Sequence, residues 1–131
     1  MFVKEVMRSE IKTTSSGTTV LEAAQVMTEN KIGCLVVVND TLEGIVTERD
    51  ILNKVVALEK DPGEVRVKDI MSRDIITISP DKDMEEASDL MSRHRIKRLP
   101  VVFGDEVVGI ITSTDVVAIL SKVIKEIYSQ Q

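Results

Sequence analysis

The sequence has no tryptophan, one tyrosine (Tyr128) and two phenylalanines (Phe2 and Phe103). Any core it builds is therefore aliphatic, packed from Val, Ile, Leu, Met and Ala. With a single cysteine, Cys34, it has no internal disulfide. His94, the sole histidine, sits in a basic run with no neighbouring cysteine or second histidine, which argues against a zinc site. No apolar run approaches the ~18 residues of a membrane span. The N-terminal Met1-Phe2-Val3-Lys4-Glu5 also lacks the apolar stretch of a signal peptide, so a cytoplasmic location is the expectation. Positive charge is in deficit. A net charge of −5 works against broad nucleic-acid binding and against an anionic membrane surface, both of which need a basic footprint.

Catalytic signatures are missing too. There is no Ser/His/Asp constellation and no glycine-rich phosphate loop. Cys34 has no adjacent base to make it a nucleophile. Asp81, Asp83, Glu85 and Glu86 lack the spacing and glycine of a calcium loop and read as a helix start with its solvated face. The expectation is a protein that is not an enzyme and needs no metal or cofactor.

What the chain does contain is a repeat. A shift of 64 positions sets Val3-Lys4-Glu5-Val6-Met7 on Val67-Lys68-Asp69-Ile70-Met71. In the same register Ile11 meets Ile75, Thr13 meets Thr77, Glu22-Ala23 meets Glu86-Ala87, Met27 meets Met91, Ile32 meets Ile96 and Leu35 meets Leu99. After one extra residue in the second copy, Gly44-Ile45-Val46-Thr47-Glu48-Arg49-Asp50 falls on Gly109-Ile110-Ile111-Thr112-Ser113-Thr114-Asp115. A hairpin turn can absorb that slip.

Each copy predicts the order β-α-β-β-α. Short β-branched runs (Ile11 to Thr14, Ile75 to Ser79) lead into helices that start at Thr19 and Asp83, each with a glutamate at capping-box spacing. Two strands follow around the turns Asn39-Asp40 and Gly104-Asp105, and runs such as Leu35-Val36-Val37-Val38 predict strands covered on both faces. A second helix closes each copy, from about Glu48 to Leu58 and from about Ser113 to Tyr128. The charged segment with Pro62-Gly63 reads as a linker. The layout is repeat 1 over 3–58, linker 59–66 and repeat 2 over 67–128, an α+β fold. About sixty residues is marginal for independent stability, so the copies are expected to pack as one pseudo-twofold-symmetric module.

The ordered features Val-Lys-Asp-Ile-Met, strand, helix, Ile-x-x-Leu-Pro-Val-Val, hairpin, Gly-Ile-Ile-Thr-x-x-Asp and helix resemble the CBS domain, named for cystathionine β-synthase. The resemblance covers residues 3 to 56 and 67 to 121. It implies a stand-alone regulatory pair that binds adenosine-containing ligands such as AMP, ADP, ATP or S-adenosylmethionine in clefts between the repeats. It also implies a homodimer, with an unidentified regulated protein as a further partner. Two other readings stay open: an interaction scaffold, and an S-adenosylmethionine-binding or magnesium-responsive regulator with one or both nucleotide clefts unused.

The Thr-x-x-Asp elbows bear two readings. In one, Thr47 and Thr112 are N-caps and Asp50 and Asp115 the acids of capping boxes. In the other, carried by the resemblance, each carboxylate accepts hydrogen bonds from both ribose hydroxyls. Thr47, Arg49, Thr112, Ser113 and Thr114 at the helix starts would then face sugar or phosphate. The second copy adds Arg93-His94-Arg95-Ile96-Lys97-Arg98. Arg93, His94 and Arg95 read as a helix end complementing its dipole, while Lys97 and especially Arg98 are phosphate candidates by resemblance. In copy one Gly33 and Cys34 supply no charge at that place, and Arg49 and Lys31 are the candidates instead. Thr13 and Thr77 would line a base pocket walled by Ile78, Ile96, Pro100 and Val101, with Ile32 and Cys34 in copy one. Along the last helix, Val116, Val117, Ile119, Leu120, Val123, Ile124, Ile127 and Tyr128 exceed one narrow stripe, as expected of an associating face or of deeper burial within the monomer.

Overall fold

The computed structural model describes residues 1–130, which divide into two compact units. One unit is Ile11–Ile75; the other joins Met1–Glu10 to the chain from Ile76 onward. These units are cut differently from the repeats 3–58 and 67–128. Each repeat begins with a short leader, and each leader packs in the unit formed by the other repeat.

The Ile11–Ile75 unit runs β1 (Thr13–Thr14), α2 (Val20–Asn30), β2 (Cys34–Asn39), β3 (Thr41–Thr47) and α3 (Glu48–Ile51), after the opening helix α1 (Val3–Val6), which belongs to the other unit. β1 lies parallel to β2, and β2 pairs antiparallel with β3. The second unit carries α4 (Met84–His94), β4 (Arg98–Phe103), β5 (Glu106–Thr112) and α5 (Ser113–Ser129), with β4 and β5 antiparallel. Its entry segment is shorter than the expected strand. Only Ile78 pairs, parallel to Val101, because Pro80 two residues on has no amide to extend the ladder.

The repeat shows in burial as well as in sequence. β2 and β4 each bury three consecutive residues, Leu35 to Val37 and Leu99 to Val101, so both faces are covered. The one-residue slip falls in the hairpins, where Asp40 alone turns the first chain and Gly104-Asp105 the second. Asp40 and Gly104 hold positive φ of 62° and 63°. The helices α2 and α4 are capped as expected, with Thr19 and Asp83 accepting the amides of Glu22 and Glu86. The glutamates do not close these caps: Glu86 turns instead to Lys82 at 3.8 Å. Lys31 and Arg95, in register, end these helices in the left-handed region.

The leaders explain the glycine before each elbow. Arg8 and Ile110 exchange both backbone hydrogen bonds (2.9 and 3.0 Å), as do Ser72 and Ile45. To approach that closely, Met7-Arg8 and Met71-Ser72 lie directly over Gly109 and Gly44. A Cβ on Gly109 would stand 2.6 Å from Met7 Sδ and 2.9 Å from the Arg8 carbonyl; on Gly44 it would stand 2.7 Å from the Ser72 carbonyl. Upstream, Val3 and Val67 are fully buried plugs in the two cores, with their amides on the carbonyls of Lys82 and Thr18. The segment 59–66 is similarly engaged: the carbonyls of Val65 and Pro62 accept the amides of Val20 and Leu21, two donors that have no acceptor within α2 itself.

The closing helices differ. After Ile51 the first widens into a π-helical stretch, Leu52–Val56, with Ala57 and Lys60 donating to carbonyls five residues back, rather than continuing as the expected α-helix to Leu58. The wider turn accompanies full burial of Val55 and the return of Lys54 toward Asp50. In contrast α5 is a regular seventeen-residue helix with no buried residue. Its surplus apolar face is thus exposed in the monomer.

Replacing Gly109 or Gly44 by alanine should destabilise the chain by about 1–3 kcal/mol, the usual range for overpacking. Gly17→Ala, with nothing within 4 Å of its Cβ, should change stability by less than about 0.5 kcal/mol. Urea unfolding compares them directly.

Candidate functional site

Each elbow forms because a strand hands its last residue, a threonine in extended conformation, to a helix whose first amide is already claimed. Glu48 N–H donates to the Gly33 carbonyl and Ser113 N–H to the Lys97 carbonyl, both at 2.9 Å, which pins the helix start to the beginning of the neighbouring strand. The threonine and aspartate then close a capping box. Asp50 N–H donates to Thr47 Oγ1 at 3.1 Å and Thr47 N–H to Asp50 Oδ2 at 2.9 Å. In the other unit Asp115 N–H donates to Thr112 Oγ1 at 3.2 Å, and both the amide and the hydroxyl of Thr112 donate to Asp115 Oδ2 at 2.9 Å. The capping role of both aspartates is therefore a feature of the fold.

Capping uses only one oxygen of each carboxylate. The Asp50 and Asp115 side chains are 17% and 11% exposed, and in each Oδ1 meets a cation. Lys54 Nζ lies 3.3 Å from Asp50 Oδ1 and also donates to the Ile70 carbonyl at 2.9 Å. Arg8 approaches Asp115 Oδ1 with Nε at 3.3 Å and Nη2 at 3.2 Å. Neither cation was singled out from the sequence. The signal was there in the register: Arg8 corresponds to Ser72, and Lys54 to Ile119. Each unit has one of the two cations where the other unit has none.

The remaining candidates fall into groups. Lys97, Arg98, Thr112, Ser113, Thr114 and Asp115 gather at one corner of their unit, where Arg98 is half-buried, directly opposite Thr112 in the β4–β5 ladder, and Lys97 and Thr114 are exposed. Farther along β4, Val101 belongs to the aliphatic core with its bridge partner Ile78, and Pro100 is fully buried, with Ile96 at the margin of the core. Thr77 is exposed beside them. In the other unit Lys31 and Ile32 line an open groove of about 490 Å³ with Gly33, Glu48 and Ile51. Cys34 begins β2 opposite Thr47, Thr13 on β1 pairs with Val36 of β2, and Arg49 is exposed on α3. Arg93 pairs with Asp89 at 3.0 Å and, with His94, occupies the last turn of α4, as expected of a helix end. Among the described residues no helix is long and apolar enough to cross a membrane.

Two units built on the same repeat, with exchanged leaders and a capped carboxylate at each strand-to-helix elbow, define a paired-repeat module. The chain belongs to the CBS domain family: the family profile matches twice, over residues 3–57 and 67–122. It is 42% identical over 120 residues to the uncharacterised protein MK0525 of Methanopyrus kandleri, covering 89% of this chain and 61% of that protein. It is 36% identical over 114 residues to the CBS domain-containing protein YhcV of Bacillus subtilis, covering 86% and 81%. Among solved structures, the CBS domain pair of MJ0100 in complex with 5′-methylthioadenosine and S-adenosyl-L-methionine superposes with a TM-score of 0.85 at 30% identity, covering 93% of this chain and 97% of that one. CBS pairs of this kind are regulatory, ligand-binding modules.

Loss of the cap hydroxyl in Thr112→Ala or Thr47→Ala should cost about 1 kcal/mol. Arg8→Ala breaks an ion pair whose cation is 61% exposed and should cost less than about 1 kcal/mol. Denaturant midpoints of the three variants separate cap from ion pair.

Proposed function

We propose that the chain is a regulatory sensor whose two elbows bind adenosine-containing ligands of the AMP, ADP or ATP type. In this reading the ribose hydroxyls donate to Asp115 and Asp50, and Thr112, Ser113, Thr114, Thr47 and Arg49 meet sugar or phosphate. Lys97 and Arg98 neutralise phosphate in the second unit. The observation that carries it is the arrangement of the carboxylates. Each keeps Oδ2 on the cap and turns Oδ1 to a partly exposed cation, so one acceptor oxygen per unit can be taken by a ligand hydroxyl without dismantling the helix start. The adenosyl compounds bound by the MJ0100 pair support a ligand of this class. Binding would shift the module between arrangements only by the difference in affinity for them. The chain is read as non-enzymatic and cytoplasmic, acting on a separate regulated protein.

Association is part of the proposal. Val117, Leu120, Ile124 and Ile127 follow a 3-4-3 spacing on α5 and are 43–63% exposed. A 3-4-3 row of Val, Leu, Ile and Ile is the spacing of a helix-on-helix seam. Ser121, Val123, Tyr128 and Gln130 beside it carry no charge to repel a second copy. A homodimer sealed along α5 accounts for this face.

Thermal unfolding against adenine and guanine nucleotides, S-adenosylmethionine and Mg²⁺ tests the first claim. A ligand at about 100 times its Kd should stabilise by about 2.7 kcal/mol, several degrees for a domain of this size. Asp50→Ala with Asp115→Ala should abolish that ligand-dependent shift. A panel with no shift, or a shift that survives the double substitution, rejects the reading. Sedimentation at micromolar concentration should give a dimer, and Ile124→Asp a monomer.

A further inference from the structure

The two carboxylates are neutralised by cations of different origin. Lys54 comes from the helix that Asp50 itself begins, four residues on, and its ammonium is tied to the Ile70 carbonyl as well. Arg8 comes from the leader, 107 residues from Asp115 in the chain. Its backbone cannot leave: it is paired in both directions with Ile110, and its carbonyl lies over the bare Cα of Gly109. Its side chain can. It is 61% exposed, and both of its bonds, at 3.2 and 3.3 Å, end on the single oxygen Oδ1. At the matching place over the other elbow stands Ser72, which carries no charge, although its backbone makes the same pair of hydrogen bonds to Ile45.

A ligand hydroxyl that takes Oδ1 of Asp115 displaces a guanidinium, which is then left on a fixed base beside the newly arrived ligand. A neutral ligand leaves that cation without its partner. A phosphate accepts it, and the planar fork of arginine suits phosphate oxygens. We infer that Arg8 is a charge-selecting residue of the Asp115 site: it covers Oδ1 in the empty elbow and is handed to the ligand's phosphate on binding. This elbow therefore prefers nucleoside phosphates to uncharged nucleosides. The Asp50 elbow has no leader cation to hand over and discriminates less. The inference rests on the ribose reading of the elbows.

Titration of the ¹⁵N-labelled full chain with adenosine and with AMP reads the two elbows separately, through the amides of Ser113 and Thr114 and through those of Glu48 and Arg49. In the wild-type chain AMP should bind more tightly than adenosine at Ser113 and Thr114. Arg8→Ala should lower the AMP-to-adenosine affinity ratio there about tenfold, weakening AMP and tightening adenosine, with the ratio at Glu48 and Arg49 unchanged. Arg8→Lys, which keeps the charge but not the fork, should retain part of the preference. If both ligands bind and the ratio at Ser113 and Thr114 stays within twofold, or both weaken equally, the assignment of Arg8 is wrong and the elbow reading stands. If the wild-type chain binds neither ligand at either elbow, the elbow reading falls and this inference with it.

Discussion

The architecture depends on a two-residue backbone pairing made twice: Arg8 with Ile110, and Ser72 with Ile45. Neither involves a side chain, yet each dictates side chains around it. The strand beneath must be bare at Gly109 and Gly44 for the leader to come close. Val3 and Val67 must then plug the cores upstream, and methionines 7 and 71 must bend over the glycines. The elbow begins only two residues beyond the pairing, so the leader also decides what stands next to the carboxylate. In one unit that residue is an arginine and in the other a serine, and the electrostatic difference between the elbows begins there.

Capping and ligand binding need not compete at these elbows. A carboxylate has two oxygens and about four acceptor directions. The helix start uses Oδ2 for the threonine amide, and in the second unit for its hydroxyl as well, and leaves Oδ1 on an exposed cation. A group rigidly held by its structural duty is already oriented for any second one, which lowers the ordering cost that binding would otherwise carry. The capping reading of Thr-x-x-Asp uses one oxygen of the side chain, and the proposed ligand contact would use the other.

Much of the fold was legible in the register of 64. Helix starts at Thr19 and Asp83, hairpins around Asp40 and Gly104, and a slip confined to the turns all follow from local chemistry, where residues within a few positions decide the outcome. The exchange of leaders was not legible. Val3-x-x-Val6-Met7 and Val67-x-x-Ile70-Met71 are chemically alike, so either could cover either hairpin, and pattern alone does not say which copy a segment packs on. The π-helical widening at Leu52–Val56 was hidden for a related reason: Val55 and Lys54 satisfy an α-helical pattern equally well until the positions of Asp50 and the core are known. At the site, the aspartates and threonines were found because they recur. Arg8 and Lys54 were passed over because each occurs in one copy only, and the contact of Arg8 spans most of the chain.

The exchanged leaders also bear on how such a chain can change over time. A single repeat, taken from leader to closing helix, contains a plug and a hairpin that belong to different compact units. Alone it would have an uncovered strand over its glycine and an apolar leader with nowhere to go, unless its leader folded back or was traded with another molecule. Gain or loss of one repeat at a time would leave such an orphan. The smallest stretch in which every leader finds its hairpin is therefore the pair, and within it the two halves differ at positions where the backbone pairing is indifferent to the side chain, as at Arg8 and Ser72.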